Sequence, residues 1–328
     1  DAHQKAADYT MARVSLARAD VVVSALWLLV LTLGGGLQWF YDLAGNLAGD
    51  GLLRDLVFVG VLTLASGVID LPFTLYRTFV VEARFGFNKM TPAMFFGDLI
   101  KHGLVAAAIG APVLAAVLWI MDSLGSAWWV YAWAFWLAFS LAAMLLYPTL
   151  IAPLFNKFEP MPEGELRSRI EGLLERCGFR ADGLFVMDGS RRSAHGNAYF
   201  TGFGKGKRIV FFDTLLDRLG GDEIDAVLAH ELGHYKHHHI WKRVALIGGG
   251  SLAFFALLGW LFDQPWFYEQ LGVSSQGNVI ALMLFALVMP VFSFPLSPIM
   301  SLMSRKHEFE ADAYAAAQTR SGWLVSAL

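Results

Sequence analysis

Val227-Leu228-Ala229-His230-Glu231-Leu232-Gly233-His234, followed by Val244-Ala245-Leu246-Ile247-Gly248-Gly249-Gly250-Ser251-Leu252-Ala253-Phe254-Phe255-Ala256-Leu257-Leu258, decides how this chain is read. The second run is apolar and long enough to belong to a membrane span, which needs about 20 residues as a helix. The first run places two imidazoles and a carboxylate just ahead of that span. On a helix, positions i and i+4 share a face one turn apart, so His230 and His234 can bind one Zn²⁺. Glu231, beside the first ligand, can take a proton from a metal-bound water, whose pKa zinc lowers towards about 7. The apolar spacing Ile224, Val227, Leu228 predicts a helix here, opened by Asp222-Glu223, where acids suit the N-terminal dipole. This helix can run straight on into the span.

Composition carries the membrane reading outward. Of 328 residues, 56% are apolar and 16% charged, against about 45–50% and 25% in soluble domains. That excess cannot be hidden in one globular core, so a lipid bilayer is the expected partner. A net charge of -3 without a basic stripe argues against a nucleic-acid partner. One cysteine, Cys177, rules out an intramolecular disulfide and fits a reducing compartment. No signal peptide is visible at Asp1, and the sequence is expected to be part of a longer product.

Six stretches qualify as spans by hydropathy: about 20–41, 54–80, 101–121, 127–152, 243–262 and 278–303. The expected fold is a multi-span α-helical membrane protein with a small α+β domain inserted. Residues 1–152 hold four spans, 153–241 the domain with the zinc motif, whose His-Glu-x-x-His pattern is that expected of a zinc protease, and 242–328 two further spans with a third-ligand helix. Within 153–241 a helix is expected at 163–178, closed by Gly178. Strands are expected at 184–187, 208–212 and, less regularly, 197–203. The triplets Gly34-Gly35-Gly36 and Gly248-Gly249-Gly250 read as close helix packing. Asp70, Glu82, Asp98 and His102, at span ends or within spans, face a protein interior, a wet cavity or the interface.

Topology tests this division. The connections 42–53, 122–126 and 263–277 contain no Lys or Arg. The opposite side holds Arg13, Arg18, Arg84, Lys89, Lys157, Arg305 and Lys306, so it is cytosolic by the positive-inside rule. Two spans separate His234 from Arg305. The chain therefore returns to the same side, where residues near 308 can meet residues near 230.

A catalytic zinc takes three protein ligands and leaves a place for water. A histidine six residues after His234 would supply the third in one class of enzyme, but position 240 is Ile. The candidate is Glu308, in His307-Glu308-Phe309-Glu310-Ala311-Asp312. Glu308 and Asp312 share a helical face, giving Glu308 as ligand and Asp312 as an acid that orients a ligand histidine. Glu310 points nearly opposite. A solvated acidic helix start explains 307–312 taken alone; the zinc motif and topology favour the ligand reading. His237, His238 and His239 read as interfacial histidines at a membrane-helix end, with His237 nearest the metal face. Asn197-Ala198-Tyr199 reads as an edge strand, which could hold a peptide by β-augmentation.

Several further runs are specific. They include Leu71-Pro72-Phe73, Phe85-Gly86-Phe87-Asn88, Ile151-Ala152-Pro153-Leu154-Phe155-Asn156-Lys157-Phe158, Ser193-Ala194-His195-Gly196-Asn197-Ala198-Tyr199-Phe200 and Arg208-Ile209-Val210-Phe211-Phe212-Asp213-Thr214-Leu215-Leu216. With the zinc helix and Glu308 to Asp312, they make the chain resemble the zinc-dependent CAAX prenyl proteases, which are integral-membrane metalloproteases. The resemblance implies a helical ring around an internal chamber and one zinc per chain on His230, His234 and Glu308. It also implies Glu231 as catalytic base, and Asp312 as an outer acid or proton donor. Asn197, Ala198 and Tyr199 match the substrate-backbone strand. Implied substrates are CAAX peptides, prenylated, or other membrane-associated polypeptides.

Two departures accompany the resemblance. The family has about seven spans, placing one before Asp1. It also has a His-rich stretch after the third-ligand helix, which this sequence does not reach; its loss could slow turnover by about two to three orders of magnitude. A short connection from Leu216 to Asp222 favours a bacterial inner membrane, where a prenylated substrate would be unusual, over endoplasmic reticulum. The alternatives are a channel or transporter with a four-ligand structural zinc, or a non-catalytic chaperone. Oligomeric state is not legible.

Overall fold

The computed structural model describes residues 2–201 and 207–327. Six helices among them are long and apolar enough to cross a membrane: His3–Leu31, Leu52–Glu82, Pro92–Ser123, Gly125–Leu154, His239–Phe262 and Asn278–Gln318. In none is more than 22% of the most apolar window buried. Val21, Val22, Leu26, Leu29 and Val30 of the first are exposed, as a lipid-facing surface requires. The chain divides into two compact units, residues 1–136 with 250–295, and 137–249 with 296–328.

The first unit is helical: α1 (Ala2–Leu31), α2 (Gly36–Ala48), α3 (Leu52–Tyr76), α4 (Pro92–Ser123), the start of α5 (Trp128–Leu146), the end of α9 (His239–Phe262), α10 (Pro265–Glu269) and α11 (Asn278–Ser293). Its core includes Leu31, Leu37, Phe58, Leu62, Tyr268 and Ile280. The run 20–41, expected as one span, is broken. α1 ends at Leu31, and Gly35 takes a left-handed φ of 73° before α2 begins. Gly34-Gly35-Gly36 thus makes a turn, for which glycine has no steric penalty. Glu82 accepts a 2.6 Å hydrogen bond from the Tyr9 hydroxyl, and Asp98 is buried.

The second unit carries a four-stranded sheet in the order β1-β2-β4-β3. The strands are β1 (Phe158–Pro160), β2 (Gly183–Met187), β3 (Ala198–Thr201) and β4 (Arg208–Phe212). β2 and β4 are parallel; β1 and β3 are antiparallel to their neighbours. β1 lies where the sequence suggests only a proline-led approach to a helix. It is a three-residue edge strand, too short to show periodicity, and its proline is tolerated at an edge. The end of the strand expected over 197–203 falls outside the described residues.

Helices α6 (Glu165–Arg176), α7 (Asp213–Arg218) and α8 (Gly221–Lys236) join the sheet, with α12 (Ser297–Gln318) and α13 (Ser321–Ala327). Ile224, Leu228 and Leu232, four residues apart on α8, are buried in one cluster with Ile209 and Phe211 of β4. The opposite flank of α8 carries Gly233. A Cβ there would lie 2.8 Å from the Ala311 Cα and 3.0 Å from its carbonyl oxygen. Glycine is what permits α12 to lie this close to α8.

Arg169 of α6 ties this core together from outside. It donates to Asp222 and, at 2.8 Å, to the buried Asp225. Burial pushes the Asp225 carboxyl above the usual range, and Arg169 only partly opposes it. A carboxyl whose folded pKa is raised loses stability as pH climbs from its unfolded value through its folded one. Arg169→Ala removes the opposing cation. It should lower stability by about 1–3 kcal/mol near neutrality, and by much less below about pH 4, where Asp225 is protonated in both states. Melting temperatures in detergent at the two pH values check this.

Candidate metal centre

α8 does not run on into the fifth span. It ends at Lys236, His238 adopts a left-handed φ of 56°, and α9 starts afresh at His239. A side chain at positive φ is uncommon, and nothing in the spacing of three successive histidines announces it.

On α8, His230 and His234 project to one side, towards α12. The His230 Nε2 and His234 Nε2 are 3.2 Å apart, and the Glu308 Oε2 lies 3.4 Å from the first and 3.5 Å from the second. Among the described residues this is the one cluster of His, Cys, Asp or Glu that could hold a metal ion. Tetrahedral zinc with bonds of about 2.0–2.1 Å sets its ligand atoms about 3.3 Å from one another, which matches the triangle.

The outer hydrogen bonds show what these three atoms offer. The Asp312 Oδ1 accepts from the His230 Nδ1 at 2.8 Å, so the Nε2 of neutral His230 is a bare lone pair. The Glu310 Oε2 accepts from the His239 Nε2 at 2.8 Å, and the His239 Nδ1 sits 2.9 Å from the His234 Nδ1. With all three rings neutral, His239 must accept from His234, leaving the His234 Nε2 bare as well. Three acceptors therefore converge with no donor between them, an arrangement a cation relieves. Burial lowers the His234 pKa despite the opposing charge of Glu308, favouring the neutral imidazole that binds metal.

Glu231 is half-buried on the same helix. Burial raises its carboxyl pKa; His230 opposes that shift and Glu308 adds to it. A carboxylate held out of water is a stronger proton acceptor than an exposed one.

Asn197, Ala198 and Tyr199 lie at and beside β3, the terminal strand of the sheet order. The Phe212 N–H donates to the Asn197 carbonyl at 2.9 Å, and Ala198 faces Phe211. By alternation, the backbones of Asn197, Tyr199 and Thr201 bond to β4, while those of Ala198 and Phe200 face the open edge. The Asn197 Oδ1 accepts from the Ala198 N–H at 2.9 Å. Beside this strand lies a recess of about 420 Å³, lined by Tyr147, Phe179, Tyr199, Phe200 and Trp241, with Lys207 and His234 in its wall.

The fold brings together His230, His234, Glu308 and Asp312, the residues that the sequence singles out as a candidate metal site. The sequence reading misses Glu310 and His239. Glu310 does leave the Glu308/Asp312 face, but it reaches the centre through His239. His239 is 4% exposed, not an interfacial side chain.

Residues 160–326 match the model of peptidase family M48, and residues 1–157 match a CAAX prenyl protease N-terminal region of five membrane helices. The chain belongs to peptidase family M48. This member is 41% identical over 290 residues to the CAAX prenyl protease 1 homolog of Oryza sativa subsp. japonica, covering 85% of this chain and 68% of that protein. It is 40% identical over 278 residues to CAAX prenyl protease 1 of Saccharomyces cerevisiae, covering 80% and 61%. The crystal structure of S. mikatae Ste24p superposes with a TM-score of 0.89 at 35% identity, over 94% of this chain and 77% of that one. The M48 member is a multi-pass membrane metalloprotease.

Proposed function

We propose that this chain is a zinc metalloendopeptidase that cleaves CAAX-type, prenylated C-terminal peptides or other membrane-associated polypeptides. The observation that carries the reading is the triangle of the His230 Nε2, His234 Nε2 and Glu308 Oε2, three acceptors 3.2–3.5 Å apart with no donor between them. Among the described residues three candidate ligand atoms converge. A closed structural zinc takes four, so the channel or transporter reading with a structural zinc loses its support.

Zinc held there would acidify a water and polarise a carbonyl. Glu231 takes a proton from the attacking water on its carboxylate and hands it to the leaving amine. Asp312 holds His230 in the ligating tautomer through Nδ1. The Ala198 carbonyl and the backbone of Phe200 face the open edge of β3, with Asn197 and Tyr199 holding that strand in place, so an extended peptide can add as a further strand. The aromatic recess beside it suits an apolar substrate group. The absence of Lys and Arg from 42–53, 122–126 and 263–277 supports a cytosolic protease domain by the positive-inside rule.

Cleavage of a fluorogenic farnesylated CAAX peptide, beside an unprenylated one and one N-methylated at the amides flanking the scissile bond, tests the substrate reading. The farnesylated peptide should have the highest kcat/KM. N-methylation should reduce kcat/KM by about 5–10-fold for each edge hydrogen bond lost. Equal turnover of all three would remove both the prenyl group and the strand from recognition.

A further inference from the structure

The break between α8 and α9 has a chemical result. Five residues apart on a continuous helix, His234 and His239 would point about 140° from one another. The left-handed His238 instead returns His239 to the ligand, Nδ1 to Nδ1 at 2.9 Å. His239 is as buried as Asp225. Its ring lies nearly parallel to that of His307, centroids 4.0 Å apart at 15°. Its other nitrogen donates to the Glu310 Oε2 at 2.8 Å. Glu310 is held in turn near the Lys242 and Lys306 Nζ atoms, each 3.9 Å away.

We propose that His239 and Glu310 form a positioning pair for the ligand His234. The inference rests on the reading of His230, His234 and Glu308 as a metal site. Glu310 accepts at one end and fixes the tautomer of His239. His239 then has only an acceptor to present to the His234 Nδ1–H. That locks the His234 ring with its Nε2 lone pair turned to Glu308 and His230. Asp312 does the same for His230 in one step, and the fold does it for His234 in two. The carboxylate of Glu310 is thereby kept one residue further from the metal than that of Asp312. His234 is oriented without a second full negative charge against it. The left-handed conformation at His238 has its reason here, since it brings back to His234 a residue that continuous helical spacing would turn away.

The test is metal binding, read without turnover. Detergent-purified, metal-stripped protein is titrated with Zn²⁺ against a chromophoric chelator and with Co²⁺ for its ligand-field spectrum. Outer partners of metal-bound histidines contribute about 10–100-fold to affinity. His239→Leu should therefore weaken zinc binding by about 10–100-fold and alter the Co²⁺ spectrum. His239→Asn, whose Oδ1 can stand where the acceptor nitrogen stood, should recover most of that loss. Glu310→Gln, which frees His239 to take the other tautomer, should weaken binding by about 3–10-fold. His239→Leu with wild-type affinity, or His239→Asn as weak as His239→Leu, would overturn the assignment. Should His239→Leu not fold, Glu310→Gln at wild-type affinity overturns it alone. A wild-type chain binding no zinc at all would instead remove the metal site beneath it, and the pair's role with it.

Discussion

Glu231→Gln should bind zinc as the wild type does and lose peptide hydrolysis by about 10²–10⁴-fold, the usual share of a general base. Glu231 is not among the three converging ligand atoms, so the amide leaves the triangle intact. Gln is nearly isosteric with Glu and adds no strain to the half-buried site. It cannot accept a proton from water. The loss should fall on kcat with KM little changed, because the group acts on the water and not on substrate binding. Zinc content by mass spectrometry, beside single-turnover cleavage, checks both halves. A variant that cleaves at the wild-type rate would remove Glu231 from the mechanism. One that loses its zinc would make it a ligand.

The second large effect is expected from a residue that touches no metal. Gly233→Ala should reduce zinc affinity by about an order of magnitude or more, and destabilise the chain by about 1–3 kcal/mol through overpacking. Local propensity predicts the opposite sign, since Ala improves a helix interior by about 0.5–1 kcal/mol. The close approach decides between them. The new methyl would sit 2.8 Å from the Ala311 Cα, a backbone atom that cannot rotate away. α12 must move out, carrying Glu308 and Asp312 with it. Ligand positions matter to about 0.2 Å, so even a small separation is felt at the metal. Gly249→Ala is the control, because a Cβ there meets nothing within 4 Å. Equal effects of the two substitutions in thermal unfolding and zinc titration would contradict this account.

How much of this was legible follows from what each feature depends on. The spans were, because lipid demands about 20 apolar residues whatever the fold around them. His230, His234 and Glu308 were, because i and i+4 spacing and an even number of intervening spans are local and counting arguments. Asp312 followed from sharing a face with Glu308. The turn at Gly34-Gly35-Gly36 was misread because glycine serves both close packing and positive φ, and the sequence does not say which. β1 was missed because three residues against Phe185, Val186 and Met187 are recruited by the sheet and not by their own pattern. The His239–Glu310 pair escaped because it needs a left-handed histidine between two helices. Helical periodicity counts 234 and 239 as pointing apart and sets Glu310 off the ligand face. Its one trace in the sequence is the run His237-His238-His239, which reads equally well as an interfacial cluster.

The most direct test of the metal centre is the metal content and chelator response of the purified wild-type chain. The account predicts one zinc per chain, cleavage of a farnesylated CAAX peptide lost on chelation and restored by added Zn²⁺, and no zinc in Glu308→Ala with His230→Ala. Cleavage that persists in metal-free protein, or zinc retained at one per chain in that double variant, would contradict it.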